Sequence, residues 1–421
     1  MRAIFGTSVL SGTVKVPPSK SMAHRAILAA GLARGFTRIY NLAYSKDIAV
    51  TIGGIRQLGA KVTPSTGKAE IEGRGGFGTI MHPIQCGESG STLRFLIPLA
   101  SLTGQQVTFV GAERLFERPQ QIYADIFKSQ GLTFRQTQNS ITLQGALAPG
   151  SYTIPGNVSS QFISGLLFAM PLMHGDSVIN IIPPFESKSY VKLTLAALRD
   201  FNVKAEFTDE NTIEVSGNQP YYPCEYTVEG DFSQSAFFAV LGAVKGDISV
   251  TGLRCNSLQG DRAIMDILKR CGAKYDEIDG GYFFHKSTLK ATEIDLADCP
   301  DLGPILMTLG ALCKGKTVIH NAQRLRIKES DRIAAMEQEL AKLGCEVSSC
   351  EGTVTITGAK LHGADDLFSH NDHRIAMALA VAVLASGVAA EISGAEAVAK
   401  SYPDFYDDLL SLGAKVDIPD D

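Results

Sequence analysis

Apolar positions along the chain follow two periods. Residues 93–99, the set Ile122-Tyr123-Ile126-Phe127 and the set Val191, Leu195, Leu198 have helical spacing, whereas Ile141-Thr142-Leu143, residues 212–215 and residues 354–357 are short and β-rich. One punctuation mark recurs between them. A helix is predicted to stop at Leu58-Gly59-Ala60, and again at Gln130-Gly131-Leu132, Phe201-Asn202-Val203, Cys271-Gly272-Ala273, Leu343-Gly344-Cys345 and Leu412-Gly413-Ala414. Counted on the Gly or Asn, the steps are 72, 71, 70, 72 and 69 residues. Gly and Asn tolerate the left-handed conformation that closes a helix, which gives each mark a physical meaning. Several repeats also carry a strand that leads into a helix with a polar first turn, as at residues 14–19, 152–156 and 226–231. Chance recurrence of Leu-Gly-Ala triplets is the alternative, and five near-equal steps argue against it. Six units of about 70 residues account for all 421. Mixed strands and helices in units of this size predict an α/β fold of two similar domains, each of three pseudo-repeated units. The Pro/Tyr-rich stretch Gln219-Pro220-Tyr221-Tyr222-Pro223 suggests a first boundary.

Composition narrows the function. Hydrophobic residues make up 45% and charged residues 20%, as in a folded globular protein. The net charge is −5 and no run of Lys and Arg forms a basic patch, so nucleic acid is not an expected partner. A cleft can still gather cations for small anions. The eight cysteines are scattered without a C-x-x-C pair, which reads as free thiols in a reducing compartment. No His/Cys cluster suggests a metal. The start of the chain is broken by Gly6, Thr7 and Ser8 and shows no signal-peptide core. The longest uncharged apolar stretch, residues 375–390, has 16 residues, short of the roughly 20 of a membrane span. A cytoplasmic monomer with no membrane contact is expected.

Several segments place polar groups at predicted helix starts. In Pro17-Pro18-Ser19-Lys20-Ser21-Met22-Ala23-His24-Arg25 a helix begins after two prolines, with Ser21 and Arg25 on one face and Lys20 in the first turn. Free N–H groups, a hydroxyl and two cations suit an anion, although a capped helix with surface charges would read the same. Cys86-Gly87-Glu88-Ser89-Gly90-Ser91-Thr92-Leu93-Arg94 repeats the pattern, its glycines allowing close approach to the backbone. Arg118 follows Glu117, Ser159-Ser160-Gln161 opens an apolar helix, and Ser187-Lys188-Ser189-Tyr190 precedes another; each alone reads equally as structural. The run from Arg324 to Arg332 puts Lys328 and Arg332 four apart, on one face if helical, with Glu329 to the side. In the unit before it, Asp298-Cys299-Pro300-Asp301 puts a carboxylate at a predicted helix start; downstream come Ser369-His370-Asn371-Asp372-His373-Arg374 and Lys400-Ser401-Tyr402-Pro403-Asp404, the last expected to open a helix. Gly310-Ala311-Leu312-Cys313-Lys314-Gly315-Lys316-Thr317 fits the P-loop pattern, but an apolar helix precedes it and a β-rich run follows, the reverse of a P-loop.

Taken together, in this order from Pro17 to Phe405, these segments resemble the EPSP synthase family of enolpyruvyl transferases. The resemblance implies an inside-out α/β barrel type of fold in two domains, 20–227 and 1–19 plus 228–421, with the active site in the cleft between them. It implies two substrates, phosphoenolpyruvate and shikimate 3-phosphate, and neither metal nor cofactor. Shikimate 3-phosphate would be held by Lys20, Ser21, Arg25, Ser159, Ser160, Gln161, Ser187, Asp301 and Lys328. Phosphoenolpyruvate would be held by Lys20, Gly90, Arg118, Gln161, Arg332, Arg374 and Lys400. Lys20, Asp301 and Glu329 would be the catalytic proton carriers, their division of labour left open. Clustered arginines suit substrates that each carry a phosphate and a carboxylate. Glu88 stands where the family commonly has Asn, and is expected to turn away or to meet Arg94; Ser91 and Arg324 also depart from common family residues. The related transferase acting on UDP-N-acetylglucosamine usually opens with Lys-Asn and carries a reactive Cys in a loop, whereas here Ser21 follows Lys20 and no Cys lies near Arg118.

Overall fold

The computed structural model describes residues 1–419. All six predicted helix stops are present. Gly59, Gly131, Asn202, Gly272, Gly344 and Gly413 have φ between +61° and +110°. At each, the next residue's N–H reaches back five residues to close the helix, as in Leu132 N to Phe127 O (2.8 Å) and Cys345 N to Leu340 O (3.0 Å). This satisfies carbonyls that the helix end would leave bare.

Among the described residues lie six four-stranded sheets. Ile84–Gly87, Val107–Gly111, Ser140–Gln144 and Thr133–Gln136 sit side by side in that order, the first pair parallel and the others antiparallel. A parallel pair needs a crossover, and helix Gly90–Ser101 supplies it. Two further sheets, one from 151–215 and one from 293–357, repeat the arrangement within one stretch of chain. The remaining three borrow a strand from afar. Gly12–Lys15 pairs parallel with Ile248–Thr251, and Glu225–Thr227 pairs parallel with Arg34–Tyr40. The N-terminal strand Arg2–Gly6 lies between Ala390–Ser393 and Lys415–Asp417, completing the sixth repeat. The repeat is therefore a strand–helix–strand–helix–hairpin unit used six times, the α/β architecture expected.

The chain divides into two compact units, Met1–Ser19 with Glu229–Asp421, and Lys20–Val228. In the first, helices Phe232–Lys245, Gly303–Leu312 and His373–Ser386 pack on one another and are buried along most of their length. In the second, Gly90–Ser101 packs on Ser160–Ala169, with Phe95 and Phe168 in ring contact at 5.8 Å. Burying a side chain of this size contributes about 1.5–3 kcal/mol, and a helix buried on all sides is apolar on nearly every face. Four of these five helices start behind a polar cap, where Ser89, Ser159, Asp231 and Asp372 accept from backbone N–H groups. The P-loop match falls on the end of helix Gly303–Leu312 and the start of strand Lys316–His320, so no phosphate cradle forms there. All eight cysteines are free, and no helix among the described residues is long and apolar enough to cross a membrane.

Candidate active site

Two groups of polar side chains gather the expected residues, one in each unit. In the unit Lys20–Val228, Lys20 Nζ meets Asp47 Oδ2 at 2.8 Å. Arg25 is buried and ties three helices together: Nε donates to Thr194 Oγ1 (2.8 Å), Nη1 to Ser21 O (2.6 Å), and Nη2 to Tyr190 O (2.9 Å) and, more loosely, to Ser164 Oγ (3.5 Å). Gly90 opens its helix against Arg118. A Cβ built on Gly90 would stand 2.8 Å from Arg118 Nη2 and 3.0 Å from Cζ and Nη1, so the missing side chain is what admits the guanidinium. Ser159 caps helix Ser160–Ala169, accepting from Gln161 N at 3.3 Å. The Gln161 amide then bridges neighbours, its Nε2 donating to Ser91 Oγ (3.0 Å) and its Oε1 accepting from Arg94 Nη1 (2.8 Å). Arg94 donates also to Pro119 O at 2.9 Å, next to Arg118. Ser187 precedes helix Lys188–Asp200 at φ 55°, a conformation uncommon for a side chain other than Gly, Asn or Asp.

The other unit holds a denser cluster around Asp301. Its Oδ1 lies 3.2 Å from Lys328 Nζ and 3.7 Å from Arg332 Nη1, and its Oδ2 accepts from Arg374 Nη2 at 3.0 Å. Arg332, 1% exposed, is the hub. It donates from Nη2 to Glu329 Oε2 (2.8 Å) and from Nε to Asp372 Oδ2 (2.8 Å). Asp372 also accepts from Ser330 Oγ and caps its helix through Arg374 N. Lys400 Nζ donates to Asn371 O at 2.6 Å.

Comparison with known proteins follows the same pattern. The family profile for EPSP synthase (3-phosphoshikimate 1-carboxyvinyltransferase) matches residues 4–409. The chain belongs to the EPSP synthase family. It is 43% identical over 410 residues to the 3-phosphoshikimate 1-carboxyvinyltransferase of Clostridium kluyveri, covering 97% of this chain and 96% of that one. The protein of the same name from Clostridium beijerinckii is 43% identical over 419 residues, covering 97% and 96%. A solved EPSP synthase from Acinetobacter baumannii superimposes with a TM-score of 0.80 at 25% identity, over 99% of this chain and 100% of that one. The enolpyruvyl transferase fold expected from the resemblance is thus present.

Within this member of the EPSP synthase family, charge assigns a state to each group. Burial on its own would raise the Asp301 carboxyl, but Arg374, Lys328 and Arg332 outweigh it and hold it well below the usual carboxylate range. Burial lowers the Lys328 ammonium, with Asp301 partly offsetting it. Burial would likewise lower Arg332, yet Asp372 and Glu329 raise it above the usual value, so it stays charged. A carboxyl not singled out in the sequence, Asp261, lies against the cluster. Burial and then the negative charge of Asp301 push it up to about 7, with Arg374 pulling the other way, and Ser233 Oγ donates to it.

One local expectation is corrected. Lys328 and Arg332 do not share a helix: Gln323–Ile327 is a 3₁₀ turn, and the helix begins at Arg332 behind the Asp331 cap. They converge because both reach Asp301. The segment 400–404 leads into the last helix, Phe405–Ser411, with Asp404 at its N-cap position, while Lys400 itself ends a 3₁₀ segment, Ala395–Lys400. Asp47, the partner of Lys20, went unnoticed, because a pair 27 residues apart leaves no local signal.

Proposed function

We propose that this chain transfers the enolpyruvyl group of phosphoenolpyruvate to the 5-hydroxyl of shikimate 3-phosphate and releases phosphate. The observation that carries the reading is one ionised carboxylate, Asp301, ringed by Lys328, Arg332 and Arg374. Three cations around one acid suit anionic substrates, and an acid kept ionised suits removal of a hydroxyl proton. Asp301 accordingly accepts the proton of the 5-hydroxyl as that oxygen attacks the carbon bearing phosphate. The methylene carbon is protonated in the same addition, with Glu329 and Lys20 as candidate donors. Loss of phosphate from the adduct, together with one proton of the new methyl group returned to the residue that donated it, restores the double bond.

The substrate contacts are assigned by family pattern and supported by position. Ser21, Arg25, Ser159, Ser160, Gln161, Ser187 and Lys328 take shikimate 3-phosphate with Lys20 and Asp301. Gly90, Arg118, Gln161, Arg332, Arg374, Lys400 and Lys20 take phosphoenolpyruvate. Gly90 meets Arg118 within one unit, and Arg332 and Arg374 meet at Asp301 within the other, pairings that chain spacing alone does not give. We read the protein as cytoplasmic, for which the eight unbridged cysteines speak, and as a monomer, which sedimentation at working concentration tests.

The deciding measurement is phosphate release with each acceptor in turn. Release is expected with shikimate 3-phosphate and not with UDP-N-acetylglucosamine. Equal turnover with both, or ATP hydrolysis lost in Lys316→Ala, would sink the assignment. The contact at Gly90 adds a second expectation. Gly90→Ala forces the Arg118 guanidinium aside, so KM for phosphoenolpyruvate should rise about tenfold, as expected of one methyl group in a fitted site. KM for shikimate 3-phosphate should stay near the wild-type value. A rise confined to shikimate 3-phosphate would move Gly90 to the other subsite.

A further inference from the structure

Lys20 and Gly90 stand on different helices, yet one buried chain of hydrogen bonds ties their supports together. Lys20 meets Asp47 on helix Lys46–Gln57. One turn along that helix is Thr51, 0% exposed. Its Oγ1 lies 3.2 Å from Asp47 O, 2.7 Å from His24 Nδ1 and 2.6 Å from Thr92 Oγ1. Thr92 stands on the helix that Gly90 opens, and its Oγ1 and N both donate to the cap, Ser89 Oγ, at 2.8 and 3.2 Å.

The order of protons along the chain follows from the number of donors. Burial pushes the His24 imidazole down to about 3, so the ring is neutral at any working pH. Its Nε2 is buried with no hydrogen-bond partner among the described residues. A proton there would be a buried N–H without an acceptor, so Nδ1 carries it and donates to Thr51. The single Thr51 proton then goes to its nearest acceptor, Thr92 Oγ1, and the Thr92 proton goes on to Ser89. Thr51 and Thr92 each accept from one side and donate to the other, and Thr51 is where three helices meet.

We infer that Thr51 is a positioning residue for enolpyruvyl transfer: its hydroxyl sets the start of the Gly90 helix, through Thr92 and Ser89, against the helix that holds Lys20 through Asp47. This rests on the function proposed above, with Gly90 and Lys20 as phosphoenolpyruvate ligands. Thr51 itself touches no substrate. A packing role is the alternative, since a buried β-branched side chain fills space whatever its polarity.

Two substitutions separate the roles. Thr51→Val keeps the shape and deletes the hydroxyl; Thr51→Ser keeps the hydroxyl and deletes a methyl. Steady-state kinetics on the full chain, each substrate varied in turn, should show KM for phosphoenolpyruvate raised about tenfold in Thr51→Val and within about twofold of wild type in Thr51→Ser, the scale of one net buried hydrogen bond. Thr92→Val should reproduce the first effect from the other side, and the double variant should be no worse than either single, as for groups acting as one unit. Thr51→Val indistinguishable from wild type, Thr51→Ser the more impaired of the two, or single effects that multiply in the double variant would each overturn the inference. If the wild-type chain does not release phosphate from the substrate pair, the functional reading fails instead. The junction is then read from the ¹H–¹⁵N signal of the His24 ring, protected from exchange in wild type and Thr51→Ser and lost in Thr51→Val; an unchanged signal in Thr51→Val overturns it.

Discussion

Asp301→Asn should lower turnover by roughly 10²-fold or more, the usual scale for loss of a general base. The amide keeps the shape of the carboxylate but can neither take a proton nor carry charge. In the structure that charge is shared among Lys328 at 3.2 Å, Arg374 at 3.0 Å and Arg332 at 3.7 Å. Its removal leaves these three cations with a stronger net field for anions. KM for phosphoenolpyruvate should therefore hold or fall while kcat collapses, a split that misfolding would not produce. Glu329→Gln tests the other carboxylate, which lies on Arg332 at 2.8 Å. Single-turnover measurements with saturating substrates would separate chemistry from product release. Turnover within about threefold of wild type in Asp301→Asn would remove it from the proton path.

What could be read from the sequence followed from how local its cause was. The six helix stops depend on one residue with a positive φ and its immediate neighbours, and the spacing of Gly59, Gly131, Asn202, Gly272, Gly344 and Gly413 found them all. The P-loop match was dismissed on the order of a helix and a strand, which is also local. The run at Lys328 and Arg332 misled because a helical period was laid over a 3₁₀ turn and an Asp331 cap; Asp331 followed by a β-branched, Ala-rich segment was the available cue. The N-terminal strand completing a sheet with residues near 390 and 415 could not be foreseen, because pairing across the whole chain leaves no trace in either segment. Asp47, Thr51 and Asp261 were missed for the same reason: each is defined by a partner brought close only by tertiary packing.

Asp372→Ala should be the most destabilising of these changes. Asp372 is 0% exposed and receives Arg332 Nε at 2.8 Å and Nη2 at 3.3 Å, Ser330 Oγ at 3.0 Å and Arg374 N at 2.9 Å. Truncation would leave Arg332 buried, with Glu329 at 2.8 Å and Asp301 at 3.7 Å as its remaining anions. Removing one partner of a buried pair costs about 3–5 kcal/mol, because the other charge stays out of water. For a unit of this size that amounts to roughly 10 °C in Tm. Asp372→Asn should cost less, since the amide oxygen can still accept from Arg374 N. The pH dependence distinguishes the pair from simple packing. Burial would raise the Asp372 carboxyl, but Arg332 outweighs it and holds it below its ordinary value. A carboxyl lowered on folding stabilises above its unfolded value, about 3.9, and that contribution is lost as pH falls through the folded value. The gap in urea midpoint between wild type and Asp372→Asn should therefore be full at pH 7 and narrow below about pH 4. A gap that stays constant with pH would mean that Asp372 acts by its shape, and that Arg332 finds its counter-charge in Glu329 and Asp301 alone.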